Sequence, residues 1–212
     1  MATPALVPWS ADDPEAWSRA RDILSGGECV VFPTDTVYGI AARADNASAI
    51  ARLQGAKGRS DSFPPPVLVS DASAAWALAR SVTDEARRLG DAWWPGPLTL
   101  VLATDRTDLA LSASVGTVGV RVPDLAVLRD FLRTTGPVAV SSANKHNRPA
   151  AMTVDEAVAQ LGTDVALYID GGPTPGPAPS TVVDCSSQQV TILRVGLVSE
   201  QQIFATAGVV HA

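Results

Sequence analysis

The sequence predicts an α/β protein built as a mixed sheet with helices packed on it. Three observations carry that expectation. Short apolar, β-branched runs at 29–32, 67–69, 98–103, 118–122 and 165–169 read as buried strands. Between them lie stretches with apolar residues at helical spacing, several opened by an Asp, Asn, Ser or Thr that can cap them. The two kinds of element mix without strict alternation, which favours a mixed sheet over a purely parallel one. With 46% hydrophobic residues in 212, the chain can bury a substantial core, and its length fits one domain. Neither an internal repeat nor a linker divides it.

In chain order, Asp13 caps a first helix, Pro14 suits its first turn, and Ala16, Trp17, Ala20, Ile23 and Leu24 recur at helical spacing up to Gly26-Gly27. The strand at 29–32 stops at Pro33, and a second apolar run, 40–42, resumes behind Gly39. Asn46 caps a helix over 47–54 that runs out in Gly55-Ala56-Lys57-Gly58-Arg59. The loop 60–66 carries three consecutive prolines before the strand at 67–69. Two helices follow, an alanine-rich one over 71–80 and one over 83–94 that stops against Pro95-Gly96-Pro97. After strands at 98–103 and 118–122, Pro123 opens a helix that ends near Gly136. A strand at 138–140 opens into Ser141-Ser142-Ala143-Asn144, and Thr153 with Glu156 forms a capping box for a helix reaching Leu161. A strand at 165–169 precedes the Gly/Pro loop 171–179. Runs at 181–183 and 190–193 read as a strand pair, and Ser199 with Gln202 caps a last short helix.

Composition excludes several classes. No apolar run approaches the ~18–20 residues of a membrane span, and the N-terminus has no basic segment leading into an apolar one. Cys29 and Cys185 sit in apolar runs, which suits reduced core thiols in a cytoplasmic protein. Neither they nor His146 and His211 make a metal spacing. A net charge of −6 argues against a sequence-independent grip on nucleic acid. Of the 16 basic residues only Lys57 and Lys145 are lysines.

The stretch Pro33-Thr34-Asp35-Thr36-Val37-Tyr38-Gly39 places hydroxyl, carboxylate and hydroxyl between two apolar runs. Such residues either satisfy a turn or meet a polar ligand. Four polar stretches share this layout at element ends: Thr34-Asp35-Thr36, Lys57-Gly58-Arg59, 141–144 and Ser180-Thr181. Strand ends are where open α/β sheets build ligand sites. Arg121 and Arg194 lie on or at the ends of apolar strands, where a buried arginine needs an anion. That anion is either one of the 22 acidic residues or a ligand; taken with Lys57 and Arg59, a phosphate or carboxylate ligand is favoured. No Walker-type loop or dinucleotide fingerprint is present.

Seven segments then carry a family resemblance: 33–39, Lys57-x-Arg59, Pro95-Gly-Pro-Leu-Thr99, Val120-Arg-Val-Pro123, Ser142-Ala-Asn144, Pro179-Ser-Thr-Val-Val-Asp184 and Arg194-x-Gly196. In this order and spacing they resemble the YrdC/Sua5 family, over about residues 26–196, in its short single-domain form. The resemblance implies a twisted open α/β sheet around a concave, positively charged cavity. It implies an L-threonylcarbamoyladenylate synthase, which turns L-threonine, bicarbonate or carbon dioxide and ATP into threonylcarbamoyl-AMP and pyrophosphate. Other proteins then use that product to modify tRNA.

Roles are implied position by position. Thr36, Arg121, Ser180 and the backbone near Val140 match residues that hold threonine. Lys57, Arg59, Thr117, Ser142, Asn144 and Arg194 match the ATP side, with Lys57 and Arg59 on the triphosphate as the catalytic pair. Asp35 and Tyr38 are read as scaffold. Mg²⁺ would be held mainly through ATP phosphates, with no protein metal site. The sequence departs from the family pattern in three places. The loop 60–66 is about two residues longer, with Pro65 near a polar position; Ser70 stands where a His is usual; and His146-Asn147 replaces Ser-Gly. Other readings are the module of hydrogenase maturation proteins, a catalytically silent paralogue and an RNA-binding module. The hydrogenase module sits in longer chains with zinc-finger cysteines.

Overall fold

The computed structural model describes residues 8–58, 64–110, 116–176 and 178–209. In chain order its elements are β1 (Trp9–Ser10), α1 (Pro14–Ser25), β2 (Val30–Phe32), β3 (Gly39–Arg43), α2 (Ala47–Ala56), β4 (Val67–Leu68), α3 (Ala72–Trp76), α4 (Asp84–Trp93), β5 (Leu98–Ala103), β6 (Thr117–Arg121), α5 (Ala126–Thr135), β7 (Val138–Ser142), α6 (Val154–Leu161), β8 (Leu167–Asp170), β9 (Thr181–Asp184), β10 (Thr191–Arg194) and α7 (Glu200–Ala207).

The caps expected from sequence start the helices: Asp13, Asn46 and Thr153 each accept a backbone N–H in the first turn of α1, α2 and α6, and Ser199 closes a reciprocal capping box with Gln202 at α7. Thr83, expected as the first residue of its helix, caps α4 in the same way. At α6 the box is half made: Glu156 reaches past the cap to accept from the Met152 N–H at 2.7 Å. Two helices are shorter than expected. The segment 71–80 is helical only over α3, because the Arg80 N–H is taken by the Ala103 carbonyl at 2.8 Å, which pulls the chain to the end of β5. Helix α5 begins at Ala126 and not Pro123, since Leu125 is extended and Arg129 binds the Pro123 carbonyl at 3.0 Å. Strand β1 is too short to leave a periodic signal, and it is fixed only by pairing with β8.

Among the described residues ten strands form one sheet in the order β1-β8-β2-β3-β7-β4-β6-β5-β9-β10. The β1–β8, β8–β2, β4–β6 and β5–β9 pairs are parallel and the rest antiparallel, so the sheet is mixed as expected. Side chains alternate between two cores with the period of a strand. Val31, Ile40, Ala139, Leu98, Leu100, Val118 and Val120 face the larger core with α2, α4, α6 and α7. Val30, Phe32, Ala41, Leu68, Val138 and Val140 face α1 and α5. That second apolar layer covers only part of its face. Past β4 and β7 the same side of the sheet carries Thr99, Gly119 and Arg121, and a cavity opens there.

Candidate functional site

The cavity measures about 330 Å³. Its walls come from the 33–39 turn, the ends of β4 and β7, the cavity side of β5 and β6, and the entry to β9 with the end of β10. The turn is built by Thr34, whose hydroxyl donates to the Val37 carbonyl at 2.7 Å and accepts from the Thr36 N–H at 3.1 Å. Thr34 and Thr36 hydroxyls lie 3.0 Å apart. Since the Thr34 proton goes to Val37, the Thr36 proton goes to Thr34, and Thr36 offers a ligand only acceptor capacity. Gly39 is required here by close approach: a Cβ on it would sit 2.6 Å from the Val140 side chain.

Arg121 is the cavity's buried cation. Its Nε donates to the Gly96 carbonyl at 3.0 Å, Nη1 to Thr36 Oγ1 at 3.0 Å and Nη2 to Asp35 Oδ1 at 2.7 Å. One N–H on each terminal nitrogen is left for a ligand. Burial lowers its pKa from the usual arginine value, and Asp35 opposes that shift. The sequence left open whether this arginine answers to a protein carboxylate or a ligand. Asp35, read as scaffold, is that carboxylate, and the pair lines the turn that the cavity shares. The other Asp35 oxygen, Oδ2, is buried without a hydrogen-bond partner.

Arg194 approaches from the opposite wall. A register shift between Ile192 and Arg194 re-aims it, and its guanidinium donates to the Ser180 carbonyl at 3.0 Å and to Ser180 Oγ at 3.3 Å. The guanidinium's partial desolvation, and after it the like charge of Arg121, lower its pKa from the usual value. Ser180 Oγ lies 2.9 Å from Thr99 Oγ1. Gly196 permits this corner, since a Cβ there would fall 2.2 Å from the Pro179 carbonyl oxygen.

The structure therefore gathers Thr36, Arg121, Val140, Ser180, Ser142, Asn144 and Arg194 around one cavity. It distributes the remaining expected residues differently. Lys57 is buried but does not line the cavity; its ammonium binds the Ser142 carbonyl and, at 2.8 Å, the Asn144 carbonyl. Thr117 pairs with Ala103 at the far end of β6 from Arg121 and does not line the cavity either. Arg59 lies outside the described residues. Asn144 lines the cavity yet spends both amide hydrogens on the Lys145 and Arg148 carbonyls, at 2.8 Å each. Ser70 donates to Asp71 at 2.8 Å beside α3, away from the cavity. Asn147 has φ 60°, so it supplies the left-handed turn that Gly supplies in the family pattern. Tyr38 acts as a strut, donating to the Gly172 carbonyl at 2.7 Å.

Thr34 and Ser141, both in polar stretches at element ends, also line the cavity, as do Thr99 and Arg148, which sequence reasoning missed. For Thr99 the signal was its parity in the strand, opposite Leu98 and Leu100. Among the described residues no group of three His, Cys, Asp or Glu could hold a metal.

The site is thus a cavity with three arginines, Arg121, Arg148 and Arg194, set on the uncovered half of a mixed α/β sheet. Residues 22–196 match the family model Sua5_yciO_yrdC, described as "Telomere recombination", and the chain belongs to that family. A Mycobacterium leprae relative is 44% identical over 207 residues, covering 94% of this chain and 93% of its own length. The threonylcarbamoyl-AMP synthase of Bacillus subtilis is 34% identical over 95% of this chain, which spans 59% of that protein. The crystal structure of P. abyssi Sua5 complexed with L-threonine superposes with a TM-score of 0.84 at 30% identity; it covers 91% of this chain, which spans 57% of that one.

Proposed function

We propose that this protein is an L-threonylcarbamoyladenylate synthase. The observation that carries the reading is the pairing, in one cavity, of a buried arginine that keeps two free N–H donors with a second arginine on the facing wall. That is a floor for a carboxylate and a wall for phosphates. The fold match to a threonine complex and the similarity to a threonylcarbamoyl-AMP synthase support the substrates.

In this reading Arg121 binds the threonine carboxylate, and Thr36 accepts from the substrate's hydroxyl or amino group. Ser180 and the backbone at Val140 complete that end. The amino group takes up carbon dioxide as a carbamate. A carbamate oxygen bonds to the α-phosphorus of ATP, the bond from that phosphorus to the bridging oxygen breaks, and pyrophosphate leaves. Positioning and charge stabilisation then dominate the catalysis. Ser142, Asn144 and Arg194 serve the nucleotide end, together with Arg59; Thr117, off the cavity, has a nucleotide role only from the resemblance. Lys57 serves it through the carbonyls of Ser142 and Asn144, which its ammonium holds in place.

Mg²⁺ would be carried mainly on the triphosphate, where it would neutralise charge on the phosphate oxygens. Product would pass to downstream proteins that transfer the threonylcarbamoyl group to tRNA. A net charge of −6 supports weak, salt-sensitive tRNA contact. Among the described residues no helix is long and apolar enough to cross a membrane, and two buried free thiols fit a reducing, cytoplasmic setting.

The test is a pyrophosphate-release assay with threonine and bicarbonate omitted in turn. Release is expected to need both, and serine, one methyl smaller, to be used roughly 10- to 200-fold less well. Undiminished release without threonine would overturn the reading.

A further inference from the structure

Resting on the synthase reading, we propose that Arg148 is a further substrate-binding residue, which grips the outer phosphates of the nucleotide. Among the described residues, the other arginines each meet a carboxylate, a carbonyl oxygen or an aromatic face. Arg148 alone has a side chain with no hydrogen bond, ion pair or ring contact, and it lines the cavity.

Its backbone is the opposite of free. The Arg148 N–H binds the Lys145 carbonyl at 3.0 Å, and its carbonyl takes the Asn144 amide at 2.8 Å. The His146 N–H binds the Lys57 carbonyl at 2.8 Å, and Gln160 of α6 clamps the segment from both ends, through Lys145 N–H and the Pro149 carbonyl. Asn147 turns the chain with φ 60° between them. A surface arginine needs no such support. A rigid loop that leaves one guanidinium unspent at a cavity wall is a preorganised anion donor.

The chemistry of the anion follows from place. Arg121 lies buried at the floor, whereas Arg148 is exposed. Adenine and ribose carry no charge, and the threonine carboxylate already has Arg121. What remains to be neutralised toward solvent is the part of the triphosphate that leaves as pyrophosphate, and a guanidinium meets it with two parallel N–H groups. The Lys57–Asn144 contacts give this loop its link to α2, so Lys57 also holds Arg148 in position.

The experiment is calorimetric titration of parent, Arg148→Ala and Arg148→Lys with ATP, AMP, inorganic triphosphate and L-threonine, beside thermal melts. Arg148→Ala is expected to weaken ATP and triphosphate roughly 10- to 100-fold, the range for hydrogen bonds to charged groups. AMP and threonine affinities and the melting temperature should stay as in the parent, because the side chain has no internal partner to lose. Arg148→Lys should recover part of the loss. Unchanged ATP affinity in Arg148→Ala, or equal weakening of AMP and ATP, would overturn the proposal. Should the parent bind ATP and triphosphate but release no threonine-dependent pyrophosphate, the synthase reading fails while the Arg148 result stands on its own.

Discussion

One face of the sheet carries two regions that share strand geometry and differ in almost everything else. Over β8, β2, β3 and β7, alternate residues are large and apolar, and α1 and α5 close on them. Trp17, Phe32 and Phe131 meet there with ring centroids 5.1–6.1 Å apart. Over β6, β5 and the entry to β9, the same alternate positions hold Arg121, Gly119, Thr99 and Ser180, and the cavity opens. The sheet dictates only which residues point to this face; their chemistry decides whether a helix or a ligand covers it. Leu68 and Val140 belong to both regions, packing under α1 and α5 while lining the cavity. The apolar half is thus the anvil on which the polar half is held.

Breaking the apolar half gives the largest expected change in stability. Phe32 is fully buried, and Phe32→Ala should cost about 3–5 kcal/mol in denaturant unfolding. Threonine affinity per folded molecule should change little, because Phe32 does not line the cavity. Equal losses of stability and affinity would show that the two regions are not separable.

Arg121→Leu, in the polar half, should lower both quantities. Threonine affinity should fall by on the order of 2–5 kcal/mol, as for truncating one partner of a desolvated charge pair. Stability should fall as well, since Asp35 is left buried with neither oxygen partnered by a cation. Adding Asp35→Asn should restore much of the stability and none of the affinity. A double variant that recovers both would assign Arg121 to the scaffold alone. Calorimetry and a thermal melt on the same three proteins read both quantities.

The apolar half was legible in the sequence, and the polar half only partly. Period-2 alternation and caps at Asp13, Asn46, Thr153 and Ser199 depend on neighbours in sequence, so they can be read from it. The extent of α3 cannot, because a long-range bond from Arg80 to Ala103 overrides alanine's helix preference. The same limit governs the site. Residue type and strand ends pointed to Thr36, Arg121, Ser180 and Arg194. Which carboxylate holds Arg121 is a contact between residues 86 apart in sequence, and Asp35 therefore passed as scaffold. Lys57 was placed on the triphosphate by the Lys57-x-Arg59 resemblance; that its ammonium holds carbonyls of β7 and the following loop is a contact between residues some 85 apart, equally invisible to local pattern. Arg148 carried no sequence signal, since a free side chain is defined only by the partners that every other described arginine has found.

The smallest and sharpest test asks whether polarity on the open half is specific or merely wet. Thr99 is almost fully buried, so its hydroxyl is not there for solvent. It bonds Ser180 Oγ, which also receives an N–H from Arg194. Valine keeps the shape and the β propensity of threonine and removes only that bond. Thr99→Val should therefore cost about 0.5–1.5 kcal/mol of stability, the net worth of one hydrogen bond. Ser180 would keep its Arg194 contact but lose the bond that fixes its orientation. Threonine affinity should then drop by roughly the same free energy, and ATP affinity should stay within about twofold, given that Thr99 approaches the nucleotide wall only through Ser180. A Thr99→Val protein that is more stable than its parent and binds threonine normally would mean that the open half tolerates apolar alternation as well as the covered half does. The hydroxyl pair would then drop out of the site, leaving Arg121 and Thr36 to hold threonine without it.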